Sequence, residues 1–352
     1  MDSSAGTAPK ETVGQLAARI SALHCQAAPG MLRYSLFPIQ DEKSYEFYKR
    51  QEAASWVADE LDFRRDLEHY EAASPAERRL IDTILAFFLP GDGLISMNLI
   101  RFLLECRSYE DQAMLVAQLH IELVHAETYS LAALTFVRSP DKLNAFVSQA
   151  ESTACVRAKA AFMERWMNSD APRSDRLLAF ACAEGIFFCS LFAVIFWFRP
   201  RGKFPNFITA NQLILRDEAL HRDFGCYLYL KEGKSPRALE IVREAVAIED
   251  DFINHMLPEP VEDLNAADMR QYVRFIADQL LGQIGEKPDY EVSNPLGFMK
   301  SLVLEGKTNY YEQRVSQYSR TDLKASLDWR KRAGLTQAGA TVDLYTNPED
   351  LL

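Results

Sequence analysis

The run of residues 177–198 is apolar almost throughout and carries one acid, Glu184, in its interior. A helix that is apolar on every side has two homes: the hydrocarbon of a bilayer, which this run is long enough to span, or the middle of a large helical bundle. In lipid Glu184 would be stranded, whereas a bundle interior can give a buried acid a task. The sequence shows no second comparable span, so the expectation is a bundle with no membrane role.

The remaining text agrees. Glycine and proline number only 15 each in 352 residues, and long stretches repeat apolar residues at helical spacing, which predicts an all-α chain. Breaker clusters at Ser74-Pro75, Ser139-Pro140, 168–175, 199–206, 233–236, 257–265 and 285–295 divide it. Between them the pattern predicts helices over 42–60, 76–89, 92–107, 110–137, 150–168, 174–198, 207–232, 236–256, 266–283 and 300–317. Residues 1–30 read as a flexible arm, 31–320 as one helical body and 321–352 as a flexible tail ending in acids and leucines. A net charge of -11 opposes contact with nucleic acid. Six cysteines without a CxxC pair, several in apolar helical text, point to reduced thiols and a cytoplasmic protein rather than a zinc site. No secretory signal opens the chain.

Two histidines follow a glutamate by three residues, in Glu122-Leu123-Val124-His125 and Glu218-Ala219-Leu220-His221. Residues three apart share a helix face, so each motif presents a carboxylate and an imidazole together. A single ExxH is usually a surface ion pair or a satisfied core histidine. Here Leu123, Val124 and Leu220 flank the motifs, and Tyr129 and Ile214 lie one turn away on the same faces, so both charged faces are expected to point inward. Buried carboxylates need counter-charge, and metal ions supply it. A four-helix two-metal site combines two such motifs with one carboxylate from each of two further helices. Glu184 offers one. Asp92, following an apolar stretch, is a better choice for the other than Asp62 or Asp82, which lie in more polar text. Carboxylates and imidazoles without thiolates suit iron or manganese.

The runs around these residues, Ala181-Cys182-Ala183-Glu184-Gly185-Ile186-Phe187-Phe188, Arg216-Asp217-Glu218-Ala219-Leu220-His221 and His125-Ala126-Glu127-Thr128-Tyr129-Ser130-Leu131, resemble the signature helices of class I ribonucleotide reductase small subunits of the eukaryotic type. Glu305-Gly306-Lys307-Thr308-Asn309-Tyr310 is similar as well, and the resemblance runs from about Phe37 to Arg320. It implies a ferritin-like helical bundle with additional helices. It also implies two iron ions per chain, manganese being possible, with dioxygen as co-substrate, a homodimer, and a large subunit that binds the tail and reduces ribonucleotides.

Carried over residue by residue, the resemblance makes Asp92, Glu122 and His125 ligands of one metal and Glu184, Glu218 and His221 ligands of the other. Tyr129 becomes the radical residue, with Phe188, Phe192 and Ile214 as an apolar sleeve around it. Trp56 and Asp217 become an electron relay that continues to Tyr318, with Tyr345 in the tail as the alternative. Two departures stand out: the tail differs in spacing and final residues, and Pro90-Gly91 directly precedes Asp92, where a proline should disturb the helix. The rival readings are a di-iron oxidase or oxygenase on the same fold and a metal-storage bundle.

Overall fold

In a computed structural model, residues 36–37, 39–106, 108–139, 141, 144, 147–148 and 152–299 are described, Asp92 in its backbone alone. Among them the elements are helices: α1 (Glu42–Ala53), α2 (Arg64–Ala72), α3 (Pro75–Glu105), α4 (Tyr109–Val137), α5 (Ala154–Asn168), α6 (Arg173–Cys182), α7 (Cys189–Trp197), α8 (Pro205–Glu232), α9 (Ala238–Met256) and α10 (Ala266–Gln283), with short turns of tighter helix at Ala58–Glu60 and Arg199–Arg201. The all-α expectation holds.

The apolar run lies at the centre. Its helix and flanks, Arg173–Arg201, are long and apolar enough to cross a membrane, yet the apolar window is wholly buried in the protein. Helix α8 packs along α6, and α9, α10 and α5 close around the same column. The approach of α8 is close because Gly225 faces Ala181: a Cβ at Gly225 would sit 3.2 Å from the Ala181 Cβ. Each fully buried leucine, isoleucine or phenylalanine in such a core contributes about 1.5–3 kcal/mol. Contrary to expectation, a second helix, α3, also meets the length and composition of a membrane span.

Helix α3 corrects the sequence reading in another respect. Two helices were expected, broken at Pro90-Gly91, but one helix runs through Pro90 from Pro75 to Glu105. Its start is fixed by a capping box, in which Ser74 and Glu77 satisfy each other's backbone N–H groups. Proline removes one backbone bond, at a cost of about 3 kcal/mol. Burial on both sides of it, by Ile84, Leu85, Phe87 and Phe88 before and Ile95, Leu99 and Phe102 after, outweighs that loss.

Three further boundaries differ. Helix α1 stops at Ala53, and Ser55-Trp56-Val57 leave the helical path. Helix α2 was not expected because its text is mostly charged; it is anchored by the buried Asp66 and Tyr70. The central helix expected over 174–198 is interrupted at Ala183–Phe187 by a wider, π-helical turn. The helix expected over 300–317, residues 1–30 and the tail, with Tyr318 and Tyr345, lie outside the described residues.

Candidate metal centre

Two long helices present the ExxH motifs as parts of longer polar stripes. On α4, Gln118, Glu122, His125 and Tyr129 fall four, three and four residues apart, and all are buried. On α8, Asn211, Ile214, Glu218 and His221 form the equivalent stripe. The expectation that both faces point inward holds, although one reason for it fails: Leu123 is 62% exposed on the outer face of α4.

Glu184 enters from the π-helical turn. Such a turn inserts one residue into the helix and re-aims the side chains around it, which is why π turns recur at functional sites. Gly185 has no room for a side chain, since a Cβ there would lie 2.8 Å from the Arg222 Cδ.

One ligand atom from each of Glu122, Glu184, Glu218 and His221 lies within 4.8 Å of the others. His125 joins them: its Nδ1 is 3.1 Å from Glu218 Oε1 and 3.3 Å from Glu122 Oε2. His221 mirrors it, with Nδ1 2.9 Å from Glu122 Oε1 and 3.3 Å from Glu218 Oε2. Glu122 and Glu218 therefore stand between the two imidazoles. The backbone of Asp92 lies in α3, and its side chain is outside the described residues. Its rivals are engaged elsewhere: Asp62 with Arg64, and Asp82 with the Tyr70 hydroxyl at 2.7 Å.

The outer nitrogens are held by the protein. His125 Nε2 meets Asp217 Oδ2 at 3.3 Å, and His221 Nε2 meets Gln51 Oε1 at 3.1 Å. Gln51 Nε2 reaches Asp217 Oδ1 at 3.4 Å, so one amide and one carboxylate span both histidines. Trp56 donates to the same Asp217 at 2.7 Å, with Arg216 on the other oxygen. Outer partners of this kind fix ring orientation and leave the inner nitrogen free to ligate.

Burial strongly perturbs the cage. Burial, together with the charges of Glu218 and Glu122, raises Glu184 well above the usual carboxylate range. Burial opposes the ionised form of Glu218 too, but bonds to His125 and His221 outweigh it and hold that carboxyl low. Burial disfavours imidazolium, yet Glu122 and Glu218 push His221 up to about 9, and Asp217, Glu122 and Glu218 raise His125 likewise. Both oxygens of Glu122 and His125 Nδ1 face only other groups of the cage, and Glu184 Oε2 makes no hydrogen bond. Buried carboxylate oxygens and imidazole nitrogens that crowd together, with Glu184 Oε2 unpaired, are what a pair of divalent cations would satisfy, so the donor set fits a two-metal site.

Tyr129 is fully buried beside the cage. Its ring stacks on Phe88, with centroids 4.2 Å apart and planes 5° off parallel, and Phe207 meets it edge-on at 6.4 Å. Its hydroxyl donates to Asn211 Oδ1 at 2.7 Å, and Asn211 Nδ2 donates to the Phe207 carbonyl, which fixes the amide orientation. Phe188 and Phe192 pack against Phe88 at 5.5 and 5.7 Å, backing the inner wall, and Ile214 is fully buried on α8.

Phe88, Phe207, Asn211, Gln51 and Gln118 escaped the sequence reading. Gln118 Nε2 donates to Glu184 Oε1 at 2.9 Å. Gln118 and Asn211 had a signal, as polar residues on the stripes that carry Glu122 and Glu218. Gln51 had none, because it arrives from another helix.

Residues 33–295 match the family model described as "Ribonucleotide reductase, small chain". The chain belongs to the ribonucleotide reductase small-chain family. It is 38% identical to the human ribonucleoside-diphosphate reductase subunit M2 over 299 residues, covering 84% of this chain and 77% of that one. It is 37% identical to the ribonucleoside-diphosphate reductase small chain of vaccinia virus (strain Ankara), covering 86% and 96%. Among solved structures, the ribonucleotide reductase Rnr4 homodimer from Saccharomyces cerevisiae superposes with a TM-score of 0.72 at 28% identity, covering 86% of this chain and 96% of that one. A putative class I ribonucleotide reductase from Bacillus halodurans, 18% identical with a TM-score of 0.69, shares the fold. The chain is thus a ribonucleoside-diphosphate reductase small subunit with the ferritin-like architecture that its sequence resembles.

Proposed function

We propose that this reductase small subunit holds two iron ions and uses dioxygen to store one oxidising equivalent on Tyr129, for a separate large subunit that reduces ribonucleotides. The observation carrying this reading is the convergence of Glu122, Glu184, Glu218, His125 and His221 with their buried oxygen and nitrogen donor atoms facing one another, next to a sealed tyrosine. Asp92, on α3, would complete the ligand set. Glu122 and Glu218, which stand between the two imidazoles, would hold both metals, and His125 and His221 would each hold one. Iron held there would supply the electrons for dioxygen reduction and the oxidising power to remove an electron and a proton from Tyr129.

The protein's part is orientation and exclusion. Phe88 covers one face of Tyr129, backed by Phe188 and Phe192, and keeps water and reductants away. Asn211 holds the phenol hydrogen in one direction. Asp217 connects His125 to Trp56 as the start of an outward electron path, which Tyr318, or Tyr345, would continue in the tail.

A homodimer is part of the same reading. Helices α3 and α4 pack together and leave Met97, Ile100, Val116 and Leu123 exposed, a face suited to a second copy. The five described cysteines are buried and free, in keeping with a cytoplasmic setting.

Reconstitution with ferrous iron and air should yield two metals per chain and a tyrosyl signal in low-temperature electron paramagnetic resonance. Tyr129→Phe should keep the metals and lose the signal. Uptake of many ions per chain would favour storage instead, and a signal surviving in Tyr129→Phe would reject the tyrosine assignment. Parallel loading with manganese separates the two metals.

A further inference from the structure

Outside the metal cage the core contains a second pair of fully buried charges. Lys159 on α5 and Glu249 on α9 are each 0% exposed, with Nζ 2.6 Å from Glu249 Oε2. Replacing such a pair by apolar residues often leaves stability unchanged or improved, so stability alone is a weak reason for it. Its other contacts are more informative. Lys159 Nζ donates to the carbonyl of Phe187 at 2.8 Å, and its ammonium lies 3.6 Å from the ring centroid of Phe252 and 4.3 Å from that of Phe87. Glu249 Oε1 accepts from the hydroxyl of Ser190.

Phe187 is the last residue of the π-helical turn and Ser190 lies in the first turn of α7. The two charges therefore grip the chain on both sides of Phe188, where the π geometry returns to α. Glu184 sits inside that turn. A π turn is a local excursion from α-helix, and its side-chain directions depend on where the extra residue is accommodated.

We propose that Lys159 and Glu249 are positioning residues: they lock the register of the π turn and so aim Glu184 at its metal. The inference rests on Glu184 being a ligand, as argued above. The lysine must act as a hydrogen-bond donor to Phe187, so a neutral donor can replace it and an apolar side chain cannot.

The test compares two double variants of the full chain with the wild type, using cobalt(II) titration followed by visible absorption, and amide hydrogen exchange at residues 183–187. Lys159→Met with Glu249→Leu removes the grip without leaving a lone buried charge. It should fold, exchange faster at 183–187, and bind one of its two cobalt equivalents about 10-fold to 100-fold more weakly. Lys159→Gln with Glu249→Gln keeps a donor and an acceptor and should restore both properties toward wild type. Wild-type exchange and loading in the Met/Leu variant would overturn the proposal, as would weakened loading in the Gln/Gln variant. If Met/Leu does not fold, Lys159→Met with Glu249→Gln replaces it under the same criteria, and its failure to fold would mark the pair as general core support and overturn the proposal too. Wild-type protein that binds no pair of cobalt ions would instead reject the ligand reading itself.

Discussion

Trp56 and His125 share a single oxygen, Oδ2 of Asp217, which the indole N–H reaches at 2.7 Å and the imidazole Nε2 at 3.3 Å. The two rings also stack, with centroids 5.9 Å apart and planes inclined by 26°. The carboxylate thus does two things at once. It orients His125, and it links that imidazole to the indole of Trp56, which follows α1.

Asp217→Asn should separate these roles. Burial favours the neutral acid, yet the bond from His125 and the nearby Arg216 hold Asp217 below its ordinary pKa, so the native group is an anion. The amide keeps the shape and removes the charge. Turnover with a large subunit should fall by about 10-fold to 100-fold while two metals are still bound. Unchanged turnover in a steady-state reductase assay would remove Asp217 from the path.

Asn211 predicts a spectroscopic effect. Its Oδ1 accepts the Tyr129 hydroxyl, and its amide is locked by the Phe207 carbonyl. Asn211→Leu removes the acceptor and leaves the buried hydroxyl unbonded, which costs about 1–3 kcal/mol. The tyrosyl radical should still form, with altered g-anisotropy in high-field resonance and a shorter lifetime. An identical spectrum would mean that the bond is absent once the radical exists.

The pattern of legibility follows from locality. Residues on one helix face three, four or seven apart are fixed by helical geometry, so Glu122 with His125, and Glu218 with His221, could be read as units. The buried Glu184 was visible as a lone acid in apolar text. The π turn around it was not, because no residue in Ala183–Phe187 demands that extra residue; its setting is tertiary, with Lys159 bonded to its last carbonyl. Gln51 was hidden for the same reason, since its two partners are both on α8. At Pro90 a local rule gave the wrong break, because apolar burial on either side outweighed one lost backbone bond.

Metal loading should release protons. Without metal, the surrounding carboxylates hold His221 up to about 9 and His125 above its ordinary pKa, while burial and the neighbouring charges of Glu218 and Glu122 raise Glu184 above the usual carboxylate range. Ligation needs imidazole and carboxylate in their deprotonated forms, so His221 gives up its proton on binding, and the upward shifts of His125 and Glu184 act in the same direction. Affinity should accordingly rise as pH approaches about 9, where His221 loses its proton. Calorimetry in buffers of different ionisation enthalpy reports the proton count directly; a heat independent of the buffer would contradict this charge state.

Asp66 predicts a pH effect on the fold rather than on the site. From α2 it reaches the start of α8, accepting the backbone N–H groups of Asn206 at 3.1 Å and Phe207 at 2.8 Å, while His69 Nδ1 accepts that of Phe204 at 3.0 Å. Phe204 adopts a left-handed backbone with φ 55°, so the helix that carries Glu218 and His221 starts from a strained residue held by α2. Burial pushes Asp66 up to about 6, and the two amide donors offset this only in part. A carboxyl with a raised folded-state pKa binds its proton more tightly when folded, so its contribution is complete below about pH 3.8 and is lost as pH rises through about 6. Relative to Asp66→Asn, the wild type should lose up to about 3 kcal/mol of unfolding free energy between pH 4 and pH 7, from a shift of roughly two pKa units. Denaturant melts of both proteins across that range measure it, and parallel curves would show that Asp66 is ionised in the folded protein at no cost.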